Sequence, residues 1–365
     1  MFSLLNRLLT CFVTHSDCRG KVGATDVHRI LRFREHPELR LDLPKLLTQQ
    51  FLGPKLHRPP PICRFLPQPE RYSLPLQPAT APAYCRDMDD VIDFRFRPIG
   101  AQSWTRDTTY HYLQRMMLEP TPSFEQQSTE LMFEEMEAAG IAIGVIGVPG
   151  PTSIRGLDPK GSDNVEELVA EHPHRFVGFG SVEPSDVEGA AAQIKELGEA
   201  GVKGVTIDPS TAEVSRQFHD RALYPLYEEA LSQGMLVTTT QSCLLGPYMD
   251  DCRPEYVDHV ATDFPDLNIV IQHGGWPYVR ETIGVLYKQS NVFTVPGQYV
   301  HYDFPGSADY VHALRRQCSR QILFGSVYPN CGPLTDLREI VSSWGLPADI
   351  ERNYLHDNAE RVLGL

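Results

Sequence analysis

From Val91 onward the chain alternates short apolar runs with helix-length amphipathic stretches. The first run, VIDFRFR (91–97), sets Ile92, Phe94 and Phe96 alternately with Asp93, Arg95 and Arg97. Successive strand side chains point to opposite faces, so this pattern predicts one apolar face and one charged, inward face. Burying unpaired charge is costly, so an inward charged face requires an anion, a metal or a water-filled cavity opposite it.

Seven further runs follow: IAIGVIGVPG (141–150), RFVGFGSVEP (175–184), VKGVTIDPS (202–210), MLVTTTQS (235–242), LNIVIQHGGWP (267–277), NVFTVPGQ (291–298) and ILFGSVYP (322–329). Helical sequence separates them, and NAERVLGL closes the chain as helix. Alternating strands and helices indicate parallel βαβ units. Eight of them within residues 88–365 predict an α/β fold, a (β/α)₈ TIM barrel. A doubly wound open sheet would show a glycine-rich phosphate turn after its first strand, and RFRPIG is no such turn. Barrel chemistry sits at the C-terminal ends of the strands. Those ends supply Arg95 and Arg97, Glu183, Asp208, Thr240 and Gln241, His273 and Trp276, Gln298, and Val327 with Tyr328.

Residues 1–87 read differently. They are proline-rich and lose periodicity after about residue 50, so they form an N-terminal extension preceding the barrel of 88–365. The net charge of −14 divides into +7 over residues 1–86 and −21 over the remainder. An acidic body argues against nucleic acid as a partner. The opening segment has no acidic residue before Asp17, as in a mitochondrial presequence, yet it is poor in arginine. A plain extension on a cytoplasmic protein is the preferred expectation, with a mitochondrial location if the segment is a presequence. The basic run HRILRFREHPELR (28–40) reads as a solvated face rather than a membrane- or partner-docking helix. Eight cysteines without a CxxC pair read as scattered reduced thiols, and no apolar run approaches the ~20 residues of a membrane span.

Several segments together resemble one family. FPDLNIVIQHGGWPYVRE, ILFGSVYP, DRALYPLYEEALSQGMLV and NAERVLGL match the sixth strand, eighth strand, approach to the fifth strand and closing helix of amidohydrolase-related barrels. That group contains aminocarboxymuconate semialdehyde decarboxylase, resorcylate-type decarboxylases and lactonases. The resemblance implies a barrel of the metal-dependent hydrolase type over residues 88–365. It also exposes departures. Where the family carries two metal-binding histidines on strand 1, this chain has Arg95 and Arg97; a strand-5 histidine is replaced by Thr240 and the strand-8 aspartate by Val327. Of those positions only His273 matches.

A catalytic zinc needs about three protein donors and an open position, and arginine is permanently cationic. The expectation is therefore that the ancestral divalent metal is gone and no cofactor takes its place. Arg95 and Arg97 would hold an anionic substrate, because guanidinium forks match carboxylates and oxyanions. The competing reading pairs them with Asp93, Glu183 or Asp208 in a structural network. His273, whose imidazole titrates near neutrality, and Asp208 are the candidate proton-transfer groups. Asp208 and Glu183 also suit turn capping. Thr240, Gln241, Trp276 and Tyr328 would line the substrate pocket, and Cys243 reads as an inert thiol. The expected function is hydrolysis or decarboxylation of a small carboxylated metabolite. The alternative is a catalytically inactive binding or scaffold protein, favoured by Val327. The expected partner is a small anionic organic substrate, with no nucleic acid and no membrane; a homodimer is compatible with the sequence.

Overall fold

A computed structural model describes residues 90–101, 105–147, 165–243 and 248–365. The extension expected over 1–87, its basic run included, lies outside the described residues.

The strands are β1 (Val91–Asp93), β2 (Ile141–Ile146), β3 (Phe176–Gly178), β4 (Gly180–Ser181), β5 (Gly204–Thr206), β6 (Leu236–Thr240), β7 (Ile269–Gln272) and β8 (Val292–Val295). All pair in parallel, in the orders β1-β2-β3 and β4-β5-β6-β7-β8. β3 and β4 are two halves of one stave, interrupted at Phe179, whose backbone N–H still donates to Ile146 O at 2.9 Å. The run expected as strand 8 is not a regular strand. It nevertheless closes the ring: Leu323 N–H donates to Thr294 O of β8 at 2.8 Å, Phe94 N–H to Phe324 O at 2.9 Å, and Val327 N–H to Arg95 O at 3.0 Å. Eight staves result, as the sequence predicts.

Helices cross over between staves for identifiable reasons. Val187–Glu199 starts where the Asp186 side chain accepts from Gly189 N–H at 3.1 Å, and it buries Ala190 and Ile194. Val279–Lys288 buries Val279, Thr282, Val285 and Leu286, one stripe at helical spacing. Outward strand residues such as Val91, Phe96, Ile141, Val205, Val237 and Ile269 join helix residues in the outer core layer. Inward residues Ile92, Phe94, Val145, Phe179, Leu236, Val270, Phe293, Val295 and Leu323 fill the barrel interior with the closing helix residues Ala359, Val362 and Leu363.

This layering corrects the expected alternation of the first strand. Ile92 and Phe94 face inward while Val91 and Phe96 belong to the outer layer. β1 ends at Asp93 and the backbone bends through Phe94 and Arg95, which resets the alternation. Asp93 therefore does not share a face with the arginines. Its Oδ1 instead accepts from the N–H groups of Arg95 and Ser326, both at 3.0 Å, and so ties the first stave to the last.

Candidate functional site

The arginines enter the mouth of the barrel on the extended segment after β1, and each side chain is only 7 % exposed. There is no spare room where Arg95 passes the closing segment: a Cβ added at Gly325 would collide with Val295 and approach the Arg95 Cβ to 3.1 Å. Asp208, just beyond β5, is buried, and both of its oxygens accept from Thr240 at the end of β6. The backbone N–H is at 2.6 Å and the hydroxyl at 3.1 Å. Burial pushes the Asp208 carboxyl up, while the Thr240 hydrogen bonds and the charges of Arg95 and Arg97 act in the opposite direction.

His273 follows β7 in a left-handed conformation, with φ at 62°. Its Nε2 lies 2.7 Å from Arg95 Nη2, and its Nδ1 lies 3.2 Å from the Gln298 amide. Burial, with Arg95 and Arg97 beside it, holds the imidazole well below its ordinary range, so it is neutral at physiological pH. Burial and the like charge of Arg97 likewise oppose the charged form of Arg95, while Asp208 supports it. Arg95 Nε has no hydrogen-bond partner among the described residues. A buried donor on a cation, left without an acceptor, is costly unless something else supplies one.

Five predicted residues thus come together: Arg95, Arg97, Asp208, Thr240 and His273. Trp276 stands one ring further out. It stacks on Tyr299 at a centroid distance of 4.9 Å, and Tyr299 meets the His273 ring edge-on at 5.9 Å. Gln241 is buried beside the site, its amide donating to Thr239 Oγ1 at 3.3 Å. Tyr328 does not line the mouth as expected. It stacks on Phe96 in the outer layer at 4.5 Å and its hydroxyl lies 2.6 Å from Ser123 Oγ, because the reset alternation carries both rings outward. Glu183 accepts from Ser185 N–H at 2.9 Å and from Glu213 N–H at 3.4 Å, a loop-fastening role. Burial pushes the Cys243 thiol up, away from a reactive thiolate.

Tyr112 and Gln298 join the site without having been assigned a role in it. The Tyr112 phenol, on the helix Arg106–Met116, is raised by burial and stays protonated; it lies close enough to Arg95 and Tyr299 to feel their charge. No motif announces that helix, and its buried face is only Thr109, Tyr112 and Leu113. Val327, where the resemblance places an aspartate, has φ at 66°, an uncommon conformation for a β-branched residue. Such strain clusters at functional sites.

The donor set does not suit a divalent cation. His273 and Asp208 are its metal-binding side-chain types, the His273 Nε2 faces a guanidinium, and two permanent cations flank them. Among the described residues, the one group with metal-like spacing is His356, Asp357 and Glu360. It lies near the start of β1, where Arg352 already pairs with Asp357 at 3.0 Å. No helix among the described residues is long and apolar enough to cross a membrane.

The charge state of Asp93 yields a measurable consequence. Burial raises its carboxyl from 3.8 to about 6, against the hydrogen bonds and Arg95 that favour ionisation. The folded state thus holds this proton more tightly than the unfolded chain. The stabilising effect is complete below about pH 4 and is lost as the pH rises through about 6. The expected loss is about 3 kcal/mol, from the 1.36 kcal/mol attached to each pH unit of displacement. Urea denaturation of the wild type and Asp93→Asn at pH 4 and pH 7 measures it: the wild type should weaken relative to the variant as pH rises. An identical pH dependence in both proteins would refute this.

Comparison with known proteins gives three kinds of result. The family model described as "Amidohydrolase" matches residues 121–365. No functionally curated protein matches. Among solved structures, an uncharacterised TIM-barrel protein from Bordetella bronchiseptica is 35% identical, over 75% of this chain and 98% of its own, with a TM-score of 0.69. The manganese-containing 5-carboxyvanillate decarboxylase of Novosphingobium aromaticivorans is 16% identical over 76% of this chain and 97% of its own, with a TM-score of 0.54. The 2,6-dihydroxybenzoate decarboxylase of Rhizobium is 13% identical over 75% and 98%, with a TM-score of 0.56. At those identities the two decarboxylases support the barrel fold alone.

Proposed function

Because the chain belongs to the amidohydrolase family, we propose that it is a hydrolase or carboxy-lyase that acts without a metal on a small carboxylated metabolite. Arg95 and Arg97 hold the anion, His273 moves a proton, and Asp208 balances part of the guanidinium charge. The observation that carries this reading is Arg95: a buried cation, opposed by burial and by Arg97, with a donor lacking any described acceptor. A bound carboxylate or oxyanion relieves all three penalties at once. Preorganised donors in a dry site stabilise developing negative charge by about 3–4 kcal/mol each, so the arginines can take over the electrostatic part of a metal's work. Tyr112 and Tyr299, kept protonated by burial, add hydroxyl donors near Arg95.

A second reading, an anion-binding relative without turnover, is favoured by Val327. Its side chain packs against Gly297 and brings no proton-transfer group to that position. The two readings differ in turnover and share anion binding.

The direct test of the metal-free part is elemental analysis of protein purified without chelator or metal-affinity tag. Less than about 0.1 equivalent of zinc, manganese or iron is expected, since the site lacks the roughly three donors that such an ion needs. One equivalent per chain, lost together with activity on chelation, would overturn it. Carboxylated lactones and aromatic acids are then screened, for binding first and hydrolysis or CO₂ release second. Binding with no turnover across both classes would leave the second reading.

A further inference from the structure

The bond between Arg95 and His273 constrains the imidazole in a way that the proposed proton transfer must overcome. A guanidinium only donates hydrogen bonds. At 2.7 Å from Arg95 Nη2, the His273 Nε2 must therefore accept, and in a neutral ring the proton must sit on Nδ1. Nδ1 faces the Gln298 side chain at 3.2 Å. In the structure the amide Nε2 is the atom that faces Nδ1, and Oε1 has no hydrogen-bond partner among the described residues. An Nδ1–H is satisfied there only with the amide turned over, which also presents its oxygen to the Tyr112 and Tyr299 hydroxyls that interact with the same side chain. The hydrogen-bond network thus orients the amide with its oxygen toward the ring, as amide orientations are assigned. Gln298 is itself fixed: it is 1 % exposed and opens the short helix Gln298–His301 directly after Gly297, whose φ of 58° turns the chain into the mouth.

From this geometry we infer that Gln298 is a positioning residue. Together with Arg95 it holds His273 in the Nδ1–H form, the Nε2 lone pair being taken by Arg95 until an anion arrives, and it alone holds that form once the anion has taken the Arg95 donor. The incoming carboxylate takes the Arg95 Nη2–H that Nε2 had been accepting. The exchange replaces one N–H···N bond by a charge-assisted N–H···O bond, moves no proton, and leaves the lone pair facing the mouth. His273 becomes a base only when an anion occupies the arginines. A base blocked in the empty protein and exposed on binding also limits wasteful proton exchange with water. The release step rests on the proposal that the arginines bind the substrate anion; the assignment of Gln298 does not.

Nitrogen NMR of histidine-labelled protein reads the two parts separately, with His273→Asn identifying the resonances. In the wild type, His273 should show a protonated Nδ1 and an unprotonated, hydrogen-bonded Nε2. Saturating benzoate should move Nε2 toward the position of a free lone pair while Nδ1 stays protonated; benzamide, which has no charge, should not. Gln298→Met leaves the buried Nδ1–H without an acceptor, so the ring should part from Arg95 in a fraction of the molecules and show both neutral forms. Gln298→Glu, which keeps an acceptor oxygen at the same reach, should restore the Nδ1–H form. A protonated Nε2 in the wild type, or an unchanged ring in Gln298→Met, overturns the positioning role. Benzoate that binds by calorimetry yet leaves Nε2 unmoved overturns the release. Absence of benzoate binding overturns the anion reading and the release with it, while the tautomer result still decides the role of Gln298.

Discussion

Replacing Arg95 with methionine should weaken benzoate binding by at least about 100-fold without lowering the melting temperature. Hydrogen bonds to a charged group contribute about 1.5–3 kcal/mol each, and 1.4 kcal/mol is a factor of ten, so losing a two-donor contact reaches this range. Methionine keeps an unbranched apolar stem, so the volume between Gly325 and the barrel wall stays filled. The charge it removes is one that burial and Arg97 both oppose, which is why stability should hold. Calorimetric titration alongside thermal melting decides the matter. Binding at wild-type strength in a folded variant would show that the anion, if any, sits elsewhere.

Asp208→Asn should do the opposite, costing about 3–5 kcal/mol of stability, the range seen when one partner of a buried charge group is deleted. The amide still fits Thr240, accepting from its N–H and donating to its hydroxyl, so the hydrogen bonds survive and only the charge goes. What remains is two buried guanidiniums without the carboxylate whose charge acts on both. Benzoate should recover more of the melting temperature in this variant than it adds to the wild type, since the ligand then supplies the missing negative charge. Denaturation curves with and without benzoate test both halves. A variant as stable as the wild type would mean that Asp208 is not the counter-ion.

The sequence made the ring of staves legible because each apolar run is bounded and separated by amphipathic helix. It also made the charge substitution at the mouth legible, since Arg95, Arg97, Asp208, Thr240 and His273 all lie at strand ends. Face assignment failed where a strand ended early. Alternation holds only while backbone dihedrals stay extended, and the bend after Asp93 sent Asp93 to the last stave and Phe96 to the outer layer. Tyr328 followed Phe96 outward, its ring stacked there. Tyr112 was hidden for another reason: it reaches the mouth from a crossover helix whose own pattern is weak. Gln298 stood at a predicted strand end, but its role depends on which imidazole nitrogen faces it, and no residue pattern encodes that.

The closing segment links the site to the order in which the chain is made. Arg95 belongs to the first stave synthesised, yet its carbonyl is held by Val327 and its neighbour Asp93 by Ser326, both from the last stave. A nascent chain therefore carries two arginines with no completed cage until more than two hundred residues later. Only the finished barrel imposes on the two guanidiniums their burial at the mouth. Premature truncation before Gly325 would leave most of the βαβ units but remove the bonds from Ser326 and Val327 that tie the first stave to the last. Such a fragment should be handled by the cell as a sticky folding intermediate rather than as a weak enzyme.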